Sequence, residues 1–419
     1  MQNIVIDKPY HFVAPHNGNF WPILMRAYMP SYLRNYHGVE SAEYFGVEKL
    51  KASLNAGHGI MLAPNHCRPC DPMIVGTMAA TISQPVYIMA SAHLFLQGGV
   101  QAWLLPRLGV FSVYREGLDR DALKCAVQIL VDAKRPLVIF PEGAISRTND
   151  RLNPLMDGTL FIARNAAKQR KDMNPPGKVV IHPVAIRYFF RENIERAIIP
   201  ALEEIEKRLS WQPQRNKQLV DRIVKVGEAL LTLKELEYAE QPQAGTLAQR
   251  IVALIDQLLV PLETEWLKGR KTEKNVTARV KALRTAILPD MVAGDITEEE
   301  RARRWKQLAD IYLAQQLFFY PPDYFSTPPT PEQLLETVER FEEDLTDAIR
   351  VYRPIHAAIE IGDAIEVSPV RERAVETDPV MARLRNDLES MLARLKEKRP
   401  RGGTGDSTKR PVLGNLRIE

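Results

Sequence analysis

The chain has only three cysteines in 419 residues, Cys67, Cys70 and Cys125. So few exclude a disulfide framework and predict a reducing setting. No apolar run reaches the roughly 18 to 20 residues that a membrane-spanning helix needs, so any membrane contact is expected to be peripheral. No charged-then-apolar leader pattern opens the sequence, and a cytoplasmic protein is expected. Charge of one sign is scarce as well. With 56 Lys and Arg against 52 Asp and Glu, the net charge is +4. That excess is too small to argue for nucleic acid, and it suits an anionic membrane face or a phosphorylated substrate. What the chain does have is apolar residues, 45% of the total. That is ample for two domains or one large core.

The first forty residues carry an unusual density of rings. Phe20, Trp21, Tyr28, Tyr32 and Tyr36 are interleaved with Leu24, Met25, Met29 and Leu33, and the charges among them are Arg26 and Arg34. This composition suits either a lipid headgroup boundary or a helical arm docked on the core, with breaks at Pro22 and Pro30. From about Tyr44 to Tyr188 short apolar runs alternate with helical spacing. GIMLAP, PVYIMA, GVFSVY, PLVIFP and VVIHPVAI read as buried strands, and DPMIVGTMAATIS, REGLDRDALKCAVQILVDA and DGTLFIARNAAKQ as helices between them. The expected fold is α/β, a mixed and largely parallel sheet flanked by helices, with a large all-helical insertion. The expected segments are an N-terminal membrane-facing arm at 1–43, an α/β core at 44–191, the helical insertion at 192–350, a return to the core with a last helix at 351–399, and a disordered tail at 400–419.

Residues with chemical potential gather in APNHCRPCDP, Ala63 to Pro72. His66 emerges at the end of a strand, where α/β proteins place their sites. Asp71 followed by Pro72 has the form of a helix N-cap with proline behind it, a purely structural explanation. Five residues is about 140° of helix, so His66 and Asp71 can meet only across a turn, which Pro69 supplies. An aspartate accepting from Nδ1–H would fix the tautomer and leave Nε2 free as a general base. Arg115 and the group Glu142, Gly143, Ser146 and Arg147 follow two further strands, and in a parallel sheet they share the edge of His66. Arginine offers a donor fork for phosphate, and glycine lets backbone approach a ligand. An ion pair between Glu142 and Arg115 is the structural alternative. The lone Cys67-x-x-Cys70 supplies at most two zinc ligands, and no metal is expected. Cys125 reads as core.

In order, NHCRPCD, GVFSVYR, FPEGAISR and VVIHPVAI resemble the four blocks of the glycerolipid acyltransferase family, of which 1-acylglycerol-3-phosphate acyltransferase is the type. The resemblance runs from about Gly46 to Tyr188. It implies His66 as base and Asp71 as its orienter, with Arg115, Glu142, Gly143, Ser146 and Arg147 toward the substrate. It implies transfer of a fatty acyl group from acyl-CoA or acyl carrier protein to the hydroxyl of a lysophospholipid, in phospholipid synthesis at the inner face of the membrane, with no cofactor beyond that co-substrate. Cys67 to Cys70 stand where the family often has a serine. Ala144 and Ile145 stand where it commonly has Thr-Arg, which removes one candidate phosphate ligand. Acylation of another lipid or glycerol-phosphate acceptor, and a non-catalytic scaffold, are the alternatives.

Overall fold

The computed structural model describes residues 7–268, 275–320, 323–325, 328–346, 350–370 and 378–400. Apart from Pro400, the tail expected to be disordered lies outside them. The chain forms two compact units. One comprises residues 12–114, 119–192 and 351 onward; the other comprises the chain up to His11, Arg115–Leu118 and Asn193–Arg350.

The first unit is built on a mixed, mostly parallel sheet. Its strands are β1 (Val39–Phe45), β2 (Gly59–Pro64), β3 (Tyr87–Ser91), β4 (Val110–Val113), β5 (Leu137–Val138), β6 (Val179–Phe190), β7 (Ile355–Ile361) and β8 (Ile365–Glu366). The order is β1-β7-β6-β2-β5-β3-β4, with β8 also paired to β6. Only β7 and β8 run antiparallel to β6; the other pairings are parallel. The helices of this unit are α1 (Phe20–His37), α2 (Val47–Asn55), α3 (Asp71–Thr81), α4 (Gly99–Arg107), α5 (Arg120–Asp132) and α6 (Gly158–Lys171). One more helix, Pro379–Glu397, follows the return of the chain.

Side-chain alternation along β6 sorts the layers. Phe189 and Ile181 join a core made with α5, α6 and the last helix. His182 and Tyr188 point the other way, to Ser53 of α2 and Asp71 of α3. Both faces of the central strands are thus covered, which explains their continuous apolar runs. The N-terminal segment does not stand apart as an arm over 1–43. Val13 exchanges hydrogen bonds with Ser112 of β4, Tyr87 reaches Asn17, and β1 is a strand of the sheet. Nor does Pro30 break α1, which runs through it as one helix closed by Gly38 in the left-handed conformation.

The second unit is all helical: α7 (Ile194–Arg208), α8 (Leu219–Ala239), α9 (Leu247–Leu267), α10 (Val276–Ala293), α11 (Glu298–Phe318) and α12 (Pro331–Thr346), making the last helix of the first unit α13. It has its own core, with Leu258, Leu283, Ile287 and Ile311 among its members. Three successive helix pairs share one clamp. Glu206 is held by Arg222, Glu235 by Arg250 and Glu263 by Arg279, each glutamate near the end of one helix and each arginine the fourth residue of the next. In the first two, the same carboxylate also accepts the main-chain N–H of the connecting loop, from Gln214 and Gln243. A two-bond guanidinium fork plus an N–H satisfies a buried carboxylate and fixes the turn.

Candidate active site

β2 ends at Pro64, paired with Val184, while β6 runs on to Phe190. The main-chain groups of Ile186 and Tyr188 on that side therefore have no strand to meet. Two amide side chains take its place. Asn65 donates to Ile186 O and accepts from Ile186 N at 3.0 and 2.7 Å; Asn149 does the same for Tyr188 at 2.8 and 2.7 Å. Buried main-chain groups must be satisfied, and these bonds tie the loops after β2 and β5 to one strand. His66 follows directly.

The His66 main chain is gripped on both sides. Its N–H donates to Glu142 Oε1 at 2.7 Å, and its carbonyl accepts from Ser146 N–H at 2.7 Å. Its ring stacks on Phe140 with centroids 4.1 Å apart. Nδ1 meets Asp71 Oδ2 at 2.9 Å. The side chain is 14% exposed, and Nε2 has no partner among the described residues.

Asp71 is fully buried and is not the helix cap the sequence suggests. Cys70 holds the N-cap position of α3, without a side-chain bond. The Asp71 carboxylate instead faces back across the turn. Oδ2 also accepts from Arg68 N–H at 2.9 Å, and Oδ1 from Tyr188 Oη–H at 2.6 Å. Tyr188 is a site residue that sequence reasoning missed, because in VVIHPVAIRYFF it reads as one more core ring. Burial, first, and the adjacent Asp71 carboxylate push its phenol well above the ordinary range, so it remains a donor. Burial likewise pushes the Cys70 thiol up to about 12, with Asp71 adding to the effect. Such a thiol is not a nucleophile. Cys67 is buried beside it, and both are free. Cys125 is half-buried against the core of its unit.

Glu142 acts through the backbone. Its other oxygen accepts from Asn153 N–H at 3.0 Å, so main-chain donors hold both oxygens and there is no rim ion pair of the kind the sequence allows. Burial pushes its carboxyl up to about 8, against the two N–H bonds that favour the charge. Since the folded value lies above the ordinary 4.5, stability from this group is greatest below that pH and is lost as pH rises through about 8. Glu142→Gln should put an amide NH2 against one of the two N–H donors. A buried unsatisfied N–H costs about 1 to 3 kcal/mol. Thermal unfolding should therefore begin lower, turnover should fall with His66 misplaced, and the decline in stability between pH 4.5 and 8 should flatten.

Gly143 has φ +70, a backbone conformation that favours glycine, and a Cβ there would displace the Met156 side chain. Ser146 is buried, and its hydroxyl is engaged with Thr148 N and O in a local turn. It holds the loop. Arg147, half-buried, takes a left-handed backbone at φ 55. Arg115 lies in the 115–118 segment that groups with the helical unit, not with the residues around His66. Asp119 closes the base of that segment, accepting from Tyr114 N–H and Ala122 N–H at 2.9 Å each.

A histidine at the end of a parallel strand, oriented by a buried carboxylate and open at Nε2, defines a protein able to activate a hydroxyl. Residues 35–187 match the family model described as Acyltransferase, and the likeness to that family covers this segment of the chain. The matched segment contains His66, Asp71, Arg115, Glu142, Gly143, Ser146 and Arg147. No curated protein matches the chain.

Proposed function

We propose that the protein transfers a fatty acyl group from acyl-CoA or acyl carrier protein to the hydroxyl of a lysophospholipid such as 1-acylglycerol-3-phosphate, at a membrane surface. The observation that carries the chemistry is the His66 Nδ1 to Asp71 Oδ2 bond of 2.9 Å with Nε2 left open. Nε2 takes the acceptor's proton as its oxygen attacks the thioester carbon, and Asp71 stabilises the imidazolium. The tetrahedral intermediate collapses, the carbon–sulfur bond breaks, and the imidazolium returns the proton to the thiolate. An ester and a thiol result. Arg147 is the proposed ligand of the acceptor's anionic group. Purified protein offered labelled acyl-CoA with a panel of lysolipids should form one acylated product, identified by mass; a chain that acylates none of them is not this enzyme.

Support for a lipid surface comes from two helices of the α/β unit. On α1, Phe20, Ile23, Leu24 and Tyr28 are exposed; on α4, Val100 is 78% exposed and Trp103 about half as much. Trp21 packs edge-on against Trp103 at 4.9 Å, joining the two into one patch. Neither helix contains an acidic residue, and Arg26, Arg34 and Arg107 are their cations. Rings, apolar tips and arginines without acids match an anionic interface, and no helix among the described residues is long and apolar enough to span one. Because Leu33 of α1 is fully buried, deleting the helix would open the core. Charge at the tips avoids that. Leu24→Asp and Val100→Asp should each weaken binding to phosphatidylglycerol vesicles by about tenfold, since each removes one apolar side chain from the interface. Co-sedimentation checks this, and undiminished binding by the double variant would place the anchor elsewhere.

A further inference from the structure

The loop 149–153 carries the Asn153 N–H that holds Glu142, and it is irregular, so its main-chain groups must be satisfied from outside. Asn149 meets β6 at Tyr188, and Asp150 pairs with Arg187 of the same strand. Beyond Asp150 the support comes from α13. Arg385 sends one arm of its guanidinium to Leu152 O and the other to Asn153 O, at 3.3 Å each. The Leu152 side chain is buried in the core that Met381, Leu384 and Leu388 of the same helix share. The helix is itself fixed at both ends. Asp378 caps it through Val380 N–H and pairs with Arg164 of α6, and Arg394 bonds Glu360 of β7 at 2.7 Å. It lies outside the segment matched to the family.

The Leu152 carbonyl and the Asn153 N–H belong to one peptide group. Arg385 binds its oxygen, and Glu142 Oε2 accepts from its nitrogen at 3.0 Å. A charged donor on the oxygen polarises the amide and strengthens the N–H as a donor. Glu142 in turn holds the His66 N–H at 2.7 Å. We propose that Arg385 is a positioning residue: it fixes the 152–153 peptide, and through that peptide Glu142 and the main chain of His66. Burial drives the Glu142 carboxyl up, and Arg385 is among the groups that oppose the rise. Removing Arg385 therefore loosens the peptide and weakens the charge that the peptide serves. The effect on rate rests on the acyl-transfer reading; the link from α13 to the loop does not.

The test uses the full chain with Arg385→Met, which keeps the stem and removes the fork, and with Arg385→Lys, which keeps the charge. Arg385→Met should lower kcat about three- to tenfold with little change in either Michaelis constant, the loss expected of long, half-exposed charged hydrogen bonds. Arg385→Lys should recover at least about half of that loss. Added to Glu142→Gln, Arg385→Met should cost less than about twofold more, because the two act along one path. Arg385 also pairs with Glu389 at 2.9 Å, so Glu389→Gln is the control and should leave kcat unchanged. Independently of turnover, amide hydrogen exchange read by mass spectrometry should quicken at least about threefold over 142–156 and 64–68 in Arg385→Met. Four results each overturn the proposal: wild-type kcat in Arg385→Met, its full effect on top of Glu142→Gln, an equal loss in Glu389→Gln, or unchanged exchange around His66. A wild-type chain that transfers no acyl group sinks the acyl-transfer reading instead, and the exchange comparison alone then decides the role of Arg385.

Discussion

His66→Ala lowers acyl transfer by about 10² to 10⁴-fold, the range a positioned general base supplies. The loss should appear in kcat with little change in either Michaelis constant, because Nε2 acts on the proton in transit. Folding should survive. The ring stacks on Phe140 but is not fully buried, and the grip on this residue is through its N–H and carbonyl, which alanine keeps. Circular dichroism and thermal unfolding separate this outcome from a collapsed loop.

Asp71 gives the second large effect, and the geometry divides it in two. Arg68 N–H is only a donor and points at Oδ2, so Asp71→Asn must put its amide oxygen there and its NH2 toward Tyr188. The tyrosine hydroxyl can accept as well as donate, and thus tolerates the change. The asparagine still accepts from Nδ1–H, and the tautomer is kept. What is lost is the charge opposite the imidazolium. The difference between charged and neutral hydrogen bonds, about 1 to 3 kcal/mol, sets a fall of roughly 10- to 100-fold. Asp71→Ala frees the tautomer too and should cost more than Asp71→Asn. Equal rates for the two would show that orientation contributes nothing beyond charge. Comparing both kcat values with that of Tyr188→Phe, which removes only the 2.6 Å bond to Oδ1, tests the network.

The candidate site residues are easier to read in the sequence than those that hold them. GIMLAP is β2 in full, because a strand covered on both faces leaves a continuous apolar run. PLVIFP yields only Leu137 and Val138 as strand, since Phe140 turns out to stack on His66 and Glu142 to bind its main chain. The site draws those residues out of the sheet. β1 carries no strand signal in sequence because VESAEYF mixes half-buried polar and apolar residues, as an edge strand does. Asp71 looks like a cap in sequence, and no local pattern reveals that its partners lie at His66 and, more than a hundred residues away, at Tyr188. The helical clamps did leave a trace in the repeated Gln-Pro-Gln at 212–214 and 241–243. Their glutamates and arginines, however, are indistinguishable in sequence from ordinary surface charge.

In the proposed reaction the acyl group passes directly from thioester to hydroxyl, with no acyl group on the protein. Intact-mass measurement of the protein mixed with acyl-CoA, with free thiol followed in parallel, tests it most directly. Without a lysolipid the protein mass should stay unchanged and no thiol should appear. With one, thiol and acylated lipid should rise together, one for one. An acyl adduct on the protein, or a burst of thiol before any acceptor is added, would contradict it.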